Sequence, residues 1–377
     1  MVSSNPTHLS KNQIINQGSF YTPEKYVNLA SQWLQELGVN SSYTFLDSSC
    51  GYGAFFQLKH AFGKNKFIGN DIDSTAVNNA STLYPDIRFY NKNALYKVDR
   101  SEFGITATEP LIVIGNPPYN DTTSQINRKI KDKKKIDIDQ DIKSRDLGLS
   151  SLNSYNKLKA EYACILHPLS YLTKEANYKS AKSFFSNYRI LKSIIFPSSE
   201  FANTSKHVCF PVIMALYERN VGNGTEYSGI NGMVFNTVEG VSFSVGQWDY
   251  LGDYIQKYPT SIRYSKEILF YTLRDINALK RSRTFIKERL ANAVDVNPDK
   301  LNYYCYVDCF KRYANPPYYM GNFDIPFIQK DFDGISDAVV RVSKYNHPEI
   351  FGIADIPSDV DVKSVIKYIH TVTNLTA

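Results

Sequence analysis

The fold of this chain is decided by the stretch Leu111-Ile112-Val113-Ile114-Gly115-Asn116-Pro117-Pro118-Tyr119. Four branched apolar residues in succession predict a strand that is buried on both faces of a parallel sheet. Gly115 ends the run, and the two prolines that follow cannot donate further ladder hydrogen bonds. An amide and an aromatic ring are therefore expected on a stiff turn at the carboxyl end of a strand, which is where open α/β sheets bind ligands.

This turn suits the methylation of an exocyclic amino group. The amine of adenine or cytosine is a poor nucleophile because its lone pair is delocalised into the ring. The Asn116 side-chain oxygen and the Pro117 carbonyl can each accept one N–H, which frees the lone pair for attack. Tyr119 can stack on the base. A plain Pro-Pro turn after a core strand is the alternative.

Three earlier segments have the pattern of strands, and each leads into residues that can hold a ligand. Residues 43–46 precede Asp47 and a glycine loop that contains Gly51 and Gly53. Residues 66–70 precede Asp71, which places an acid about 20 residues after the loop, where dinucleotide-binding folds hold a ribose. Residues 87–90 precede Asn93, whose amide can hydrogen-bond the edge of an adenine.

An amphipathic helix is predicted ahead of these strands. Apolar residues recur on one face from Val27 to Leu37, and Gly38 follows as a stop signal. Thr22 and Pro23 are suited to the N-cap and the first turn. A helix N-terminus at this place can hold the carboxylate of a ligand.

The order of these motifs resembles that of the gamma-type DNA adenine-N6 methyltransferases, which use S-adenosylmethionine. In that family a Y-T-P element, here residues 21–23, precedes the cofactor loop, the N-P-P-Y tetrapeptide and a C-terminal target-recognition region. The likeness covers residues 17–218, and the sequence departs from the family at Ser48, where a proline usually follows the acid. The resemblance implies a doubly wound, Rossmann-like α/β methyltransferase sheet. It also implies transfer of a methyl group to adenine N6 of a base flipped out of double-stranded DNA.

The resemblance assigns roles to individual residues. The expected catalytic set is Asn116, Pro117, Pro118, Tyr119 and the base-stacking Phe201. The expected cofactor-binding set is Tyr21, Thr22 and Pro23 around the methionine moiety, Asp47, Cys50 and Gly51 around the amino group and sugar, Asp71 at the ribose hydroxyls, and Ile72 and Asn93 at the adenine. Alternatives stay open: Asp47 and Asp71 as strand-end caps, Ile72 as core, and Phe201 as core with Phe210 or no residue in its place. His167, at the end of a further predicted strand, is expected to be a satisfied structural histidine and not a general base.

The charge of the chain fits a polyanionic partner. The 377 residues carry a formal net charge of +6, and the isoelectric point is near 8.8. A polar insertion at residues 122–146 contains a basic cluster, made of Arg128, Lys129, Lys131, Lys133, Lys134 and Lys135. Asp137, Asp139 and Asp141 follow and are suited to restrain those cations when no DNA is bound. Phosphate contact and a merely solvated loop are equally open interpretations of this insertion.

The C-terminal part has a different character. Residues 220–224 are the clearest linker signal, which predicts a catalytic domain over residues 1–220 and a DNA target-recognition region over residues 225–377. A basic helical segment is predicted there, with Arg274, Lys280, Arg281, Arg283, Lys287 and Arg289. A second N-P-P-Y, at residues 315–318, follows no buried strand, so we expect a loop without a catalytic role.

The sequence leaves several rival functions open and indicates the cellular compartment. Cytosine-N4 methylation of DNA, methylation of an RNA base and methylation of a protein glutamine are rival reactions, and a catalytically silent DNA-binding regulator is a rival of another class. Five cysteines without a paired framework predict a reducing compartment, with no metal site. We expect a cytoplasmic protein of a bacterial or virus-infected cell, without membrane association and monomeric on DNA. A cognate restriction endonuclease would fit as a genetic neighbour.

Overall fold

The computed structural model describes residues 22–119, 136–201, 209–260, 267–279, 285–321, 323–353 and 355–375. The chain divides into two compact units, Met1–Val241 and Ser242–Ala377. The first unit contains the long sheet predicted from the sequence, and the second contains only short strands and helices.

The first unit is built on one large sheet. Its strands, with a short eighth strand outside the sheet, are β1 Thr44–Asp47, β2 Lys66–Asp71, β3 Arg88–Asn91, β4 Leu111–Gly115, β5 Tyr162–Pro168, β6 Tyr188–Pro197, β7 Pro211–Arg219 and β8 Val234–Asn236. The sheet has seven strands in the order β3-β2-β1-β4-β5-β7-β6. Neighbours among β1 to β5 pair in parallel, and β7 lies antiparallel between β5 and β6.

Helices accompany this sheet. They are α1 Glu24–Glu36, α2 Ser74–Leu83, α3 Leu147–Lys157, α4 Ser170–Thr173, α5 Glu175–Ser180, α6 Lys182–Phe185 and α7 Tyr227–Ile230, with 3-10 turns at Ala54–His60, Arg100–Phe103 and Ser198–Glu200. The apolar face of α1 is buried as predicted, and Gly38 ends the helix with a φ of 75°.

β4 is buried on both faces, as its sequence predicted. Ile112 and Ile114 pack in one cluster with Phe45 and the apolar face of α1. Leu111 and Val113, which point to the other face of the strand, are also fully buried. The predicted doubly wound α/β class is therefore confirmed.

The strand order places a crevice at the carboxyl ends of β1 and β4. The chain runs outward from β1 to β2 and β3, then returns to β4 on the other side of β1. The two connections therefore leave β1 and β4 in opposite directions, which is the switch point where open α/β sheets bind ligands. Asp47 and Gly115 end these two strands.

The second unit has small sheets and helices. Its strands are β9 Ser242–Ser244, β10 Asp249–Tyr250, β11 Phe270–Leu273, β12 Phe285–Ile286, β13 Ala293–Val296 and β14 Pro326–Phe327. Its helices are α8 Leu301–Tyr313, α9 Gln329–Phe332, α10 Ser336–Asn346, α11 Pro348–Phe351 and α12 Asp359–Thr373. Its core is aromatic, with Tyr306 in contact with the rings of Phe310, Phe327 and Phe332.

The predicted basic helix between residues 274 and 289 is wrong in the described part of that segment. Residues 270–273 form β11, which pairs antiparallel with both β12 and β13. Arg274 lies in the turn after β11, and Lys287 and Arg289 follow β12. Lys280, Arg281 and Arg283 lie outside the described residues. The β-branched and aromatic residues on either side of the charged run pair as strands, and this pairing overrides the helical spacing of the charges.

The segment predicted as a linker, residues 220–224, is a hydrogen-bonded turn. The Asn220 N–H donates to the Asn187 carbonyl at 2.7 Å, and the Gly224 N–H donates to the Ser186 carbonyl at 3.1 Å. A methyl group on Gly224 would lie 2.0 Å from the Phe185 carbonyl oxygen, so only glycine fits there. The first unit continues from this turn to Val241.

No helix among the described residues is both long and apolar enough to cross a membrane.

Candidate functional site

The carboxylate of Asp47 is buried at the end of β1. Its exposed fraction is 2%, and its Oδ1 accepts from the Ser49 N–H at 3.2 Å. Burial, reinforced by the negative charge of Asp71, raises the pKa of Asp47 to about 8. A carboxylate in this position is stabilised by a cation or by further hydrogen-bond donors.

Asp71 orders the glycine loop from the end of β2. Its Oδ2 accepts from the Gly51 N–H at 2.8 Å, and its Oδ1 accepts from the Asp73 N–H at 2.9 Å. Burial raises the pKa of Asp71 despite these two bonds. Asp71 therefore shapes the loop that contains Cys50 and Gly51 and adds a second carboxylate to the site.

Asn70 is a functional residue that sequence reasoning missed. Its side-chain amide donates to the Ser48 carbonyl at 3.0 Å and to the Lys92 carbonyl at 3.1 Å. Its backbone carbonyl accepts from the Cys50 N–H at 2.9 Å. The residue is fully buried in β2, so it links the segments after β1 and β3 to this strand. The signal was present: an amide at the end of an otherwise apolar strand needs buried partners.

Ile72 and Asn93 lie after β2 and β3. Ile72 is 59% exposed, which excludes the alternative that it belongs to the core. Both polar atoms of the Asn93 side chain are engaged by the protein: Oδ1 accepts from the Leu95 N–H at 3.0 Å, and Nδ2 donates to the Asp137 carbonyl at 2.6 Å. The exposed side chain of Ile72, which stands between Asp71 and Asp73 in the chain, offers an apolar surface on which a flat ring can pack.

The Asn116-Pro117-Pro118-Tyr119 turn begins directly against Asp47. Gly115 has a φ of +148°, and a methyl group on it would lie 2.8 Å from Asp47 Oδ1. The absence of a side chain at Gly115 thus lets the turn that begins at Asn116 approach Asp47 closely. The Tyr119 hydroxyl donates to Asn116 Oδ1, and its ring packs against the core cluster beneath. Burial raises the pKa of Tyr119, so the hydroxyl remains protonated.

Two of the predicted methionine-binding residues, Thr22 and Pro23, directly precede α1. Thr22 is buried, and Pro23 occupies the N-cap position, so the prediction that Thr22 caps the helix is wrong by one residue. The capping role fails because Pro23 is already in an extended conformation, with a ψ of 142°, and the helix starts at Glu24. Tyr21 lies outside the described residues.

Phe201 is 2% exposed and packs edge-on against Phe196. Phe196 in turn stacks on Tyr26 of α1, with ring centroids 3.9 Å apart. Phe210 is less buried and also packs against this cluster. Phe210 is therefore the more exposed of the two rings, and the stacking role expected for Phe201 stays a prediction.

Glu200 is a second residue that sequence reasoning missed. One of its oxygens, Oε2, accepts from the Tyr26 hydroxyl at 2.6 Å and lies 2.5 Å from Lys25 Nζ. This carboxylate fastens the turn after β6 to the first turn of α1. No sequence pattern indicated the contact, because 174 residues separate Tyr26 from Glu200.

His167 is a structural histidine, as expected from its place at a strand end. Its Nε2 lies 2.7 Å from the Tyr217 hydroxyl and its Nδ1 lies 2.9 Å from the Pro168 carbonyl. Burial lowers the pKa of His167 to about 4, so the ring is neutral at physiological pH.

The acidic end of the polar insertion is tied to the protein itself. Asp139 accepts from the backbone N–H groups of Lys97 at 2.8 Å and Val98 at 2.9 Å, and Lys157 pairs with both Asp139 and Asp141. Asp139 and Asp141 therefore have structural partners of their own, and the expectation that they also restrain the basic cluster stays a prediction. Arg128, Lys129, Lys131, Lys133, Lys134 and Lys135 lie outside the described residues.

The second N-P-P-Y follows α8 rather than a strand. Asn315 comes after the helix has ended at Tyr313, and Tyr318 begins a short 3-10 turn. Its position at a helix end, away from any strand, agrees with the prediction of a loop. Among the residues that the structure describes, no cluster of His, Cys, Asp or Glu could hold a metal ion.

No family model and no curated protein matches this chain. Solved structures resemble it at low identity. A protein from Vibrio vulnificus assigned as a modification subunit of a type I restriction enzyme is 14% identical with a TM-score of 0.38, over 55% of this chain and 45% of that one. A protein from Pyrococcus horikoshii assigned as an RNA methyltransferase is 14% identical with a TM-score of 0.35, over 54% of this chain and 87% of that one. An S-adenosylmethionine-dependent methyltransferase from Anabaena variabilis is 13% identical with a TM-score of 0.34, over 56% of this chain and 92% of that one.

Proposed function

We propose that the chain is an S-adenosylmethionine-dependent methyltransferase that acts on the exocyclic amine of adenine, at N6, in double-stranded DNA. The observation that carries this proposal is the contact between the ends of β1 and β4. There the Asn116-Pro117-Pro118-Tyr119 turn starts against the buried carboxylate of Asp47. A group held by Asp47 and an amine held by Asn116 would be neighbours at the switch point of the sheet.

The residues present fit S-adenosylmethionine. The buried carboxylate of Asp47 suits its positively charged amino group, and Asp71 suits the hydroxyls of its ribose. Ile72 offers an exposed apolar surface to its adenine, and Thr22 and Pro23 lie at the start of α1 for the methionine moiety. When bound, the cofactor supplies a methyl group made electrophilic by the positive sulfur to which it is attached.

The work of the protein is to hold the amine. Asn116 Oδ1 and the Pro117 carbonyl accept its two N–H groups, and the ring of Tyr119 supports the base from one face. Because the Tyr119 hydroxyl donates to Asn116 Oδ1, binding of the amine would exchange this bond for one from the amine. The protein then contributes positioning and removes no proton before attack.

A duplex substrate requires the adenine to leave the stack, because an amine inside the helix cannot reach the end of β4. The net charge of +6 favours binding to the phosphate backbone, and the basic cluster of the insertion and the second unit are the proposed contacts. Cytosine N4 in DNA and an amine on an RNA base are alternative targets, since the same two acceptors serve them.

The proposal is tested by single-turnover methyl transfer to a DNA duplex, with Asn116→Ala and Asn315→Ala compared. Asn116→Ala loses one preorganised acceptor, so a rate lower by about a hundred- to a thousandfold is expected, with cofactor affinity retained. Asn315→Ala has the same change in composition at a helix end and should keep the wild-type rate at saturating DNA. A normal rate for Asn116→Ala would overturn the proposal, and transfer to RNA alone would replace the substrate.

A further inference from the structure

The hydroxyl of Tyr155 contacts the loop after β1, which the proposed function assigns to the cofactor. Tyr155 belongs to α3, in which every residue from Leu147 to Tyr155 is buried. Its hydroxyl shares a hydrogen bond of 3.4 Å with Ser48 Oγ, in the loop directly after Asp47. These two residues are 107 positions apart in the chain, and both are buried.

The loop that contains Ser48 also meets the turn after β4. Ser48 directly follows Asp47, and a methyl group on Gly115, the residue before Asn116, would lie 2.8 Å from Asp47 Oδ1. The electrostatics agree with this arrangement: burial is the main cause of the raised pKa of Tyr119, and Tyr155 and Asp146, the N-cap of α3, raise this pKa further.

We infer that Tyr155 is a positioning residue that holds the loop after β1 and the turn after β4 in fixed register with each other. Its ring is anchored in the buried helix, and its hydroxyl accepts a hydrogen bond from Ser48, whose neighbour Asp47 lies against Gly115 at the start of the turn. The inference rests on the proposed function, because that function assigns these segments to the methyl donor and to the acceptor amine. Small errors in the separation of two reacting groups lower the rate steeply, whereas each group can still bind.

The test compares Tyr155→Phe, Ser48→Ala and the double variant. Tyr155→Phe keeps the ring and its packing and removes only the hydroxyl. A single hydrogen bond corresponds to a factor of about three to ten, so methyl transfer in a single turnover should slow by that factor. Affinity for S-adenosylmethionine should stay within about twofold. The double variant should be no slower than Tyr155→Phe alone, because both changes remove the same bond.

A second measurement does not depend on activity. Hydrogen exchange of the amides in residues 47–53, and of Asn116 and Tyr119, should be faster in Tyr155→Phe than in the wild type. Tyr178→Phe is the matched control: its hydroxyl is also buried and donates to the Thr225 carbonyl at 3.0 Å. This control should lower stability without changing exchange at either segment.

Each outcome separates the inference from the proposed function. Unchanged exchange at both segments in Tyr155→Phe would overturn the positioning role, and so would equal slowing of methyl transfer in Tyr155→Phe and Tyr178→Phe. A wild-type protein that transfers no methyl group to any nucleic acid would overturn the proposed function, and the exchange experiment would still decide whether Tyr155 links the two segments.

Discussion

At the scale of single residues, Gly115 decides how closely the turn after β4 can approach Asp47 at the end of β1. Its φ of +148° is disfavoured for other residues, and a methyl group would collide with Asp47 Oδ1 at 2.8 Å. Gly115→Ala should therefore lower the free energy of unfolding by about 1–3 kcal/mol. It should also weaken S-adenosylmethionine binding, because the Asp47 carboxylate must move.

The matched control for this change is Gly229→Ala, measured by urea unfolding. Gly229 lies in α7, its φ is not positive, and no atom lies within 4 Å of the added methyl group. Alanine there should leave stability unchanged or raise it by up to about 1 kcal/mol. Equal effects of the two substitutions would contradict the close approach of Gly115 to Asp47.

The raised pKa of Asp47 predicts that cofactor binding depends on pH. Its pKa of about 8 means that the carboxyl is mostly protonated near pH 6, whereas a cationic amino group needs the carboxylate. Between pH 6 and pH 7, where an α-amino group stays protonated, affinity should rise about tenfold. Calorimetry in buffers of different ionisation enthalpy should show proton release on binding, and Asp47→Asn should abolish both effects.

In the protein without bound S-adenosylmethionine, a rise in pH should lower the stability of the fold, whereas it raises the affinity for the cofactor. A carboxyl whose pKa is raised by folding stabilises the fold fully below its ordinary value of 3.8, and this contribution is lost as pH rises through about 8. Ligand-free wild type should thus lose stability over that range relative to Asp47→Asn. A stability profile that rises from pH 5 to pH 8 relative to the variant would contradict the raised pKa.

At the scale of elements, α1 is fastened to the turn after β6 by Glu200. Tyr26→Phe removes the donor of the 2.6 Å bond to Glu200 and keeps the stack of that ring on Phe196. Since Glu200 keeps Lys25 as a partner and is partly exposed, the expected loss in urea unfolding is about 1 kcal/mol. Tyr345→Phe removes an exposed hydroxyl from α10 and should cost nothing measurable. Equal midpoints for the two variants would show that the Glu200 bond adds no stability.

At the scale of the whole molecule, the net charge of +6 and the basic insertion predict salt-dependent binding to DNA. Replacing Lys133, Lys134 and Lys135 by Gln should reduce the slope of log affinity against log salt by about one unit for each phosphate that the variant no longer binds. Sequence preference should persist, because phosphate contacts position the duplex without reading bases. Lys179→Gln, an exposed cation on α5 paired with Glu175, is the control and should not change the slope. An unchanged slope in the triple variant would favour a merely solvated loop.

The sequence by itself determined the sheet and the ends of its strands. Strand periodicity and burial are local, so the buried run of β4, the acids after β1 and β2, and the neutral His167 could all be predicted. The same local logic separated the two N-P-P-Y elements by what precedes each of them.

Only the tertiary structure decided which distant residues meet. The pairs Tyr26–Glu200 and Ser48–Tyr155 are 174 and 107 residues apart, and neither spacing leaves a trace in sequence periodicity. The predicted basic helix failed for a related reason, since pairing of β11 with β12 and β13 outweighed local spacing. The hydrophobic pattern of the sequence indicates which face of a helix or strand is buried. The partners of a buried hydroxyl or carboxylate depend instead on how the helices and strands pack against one another.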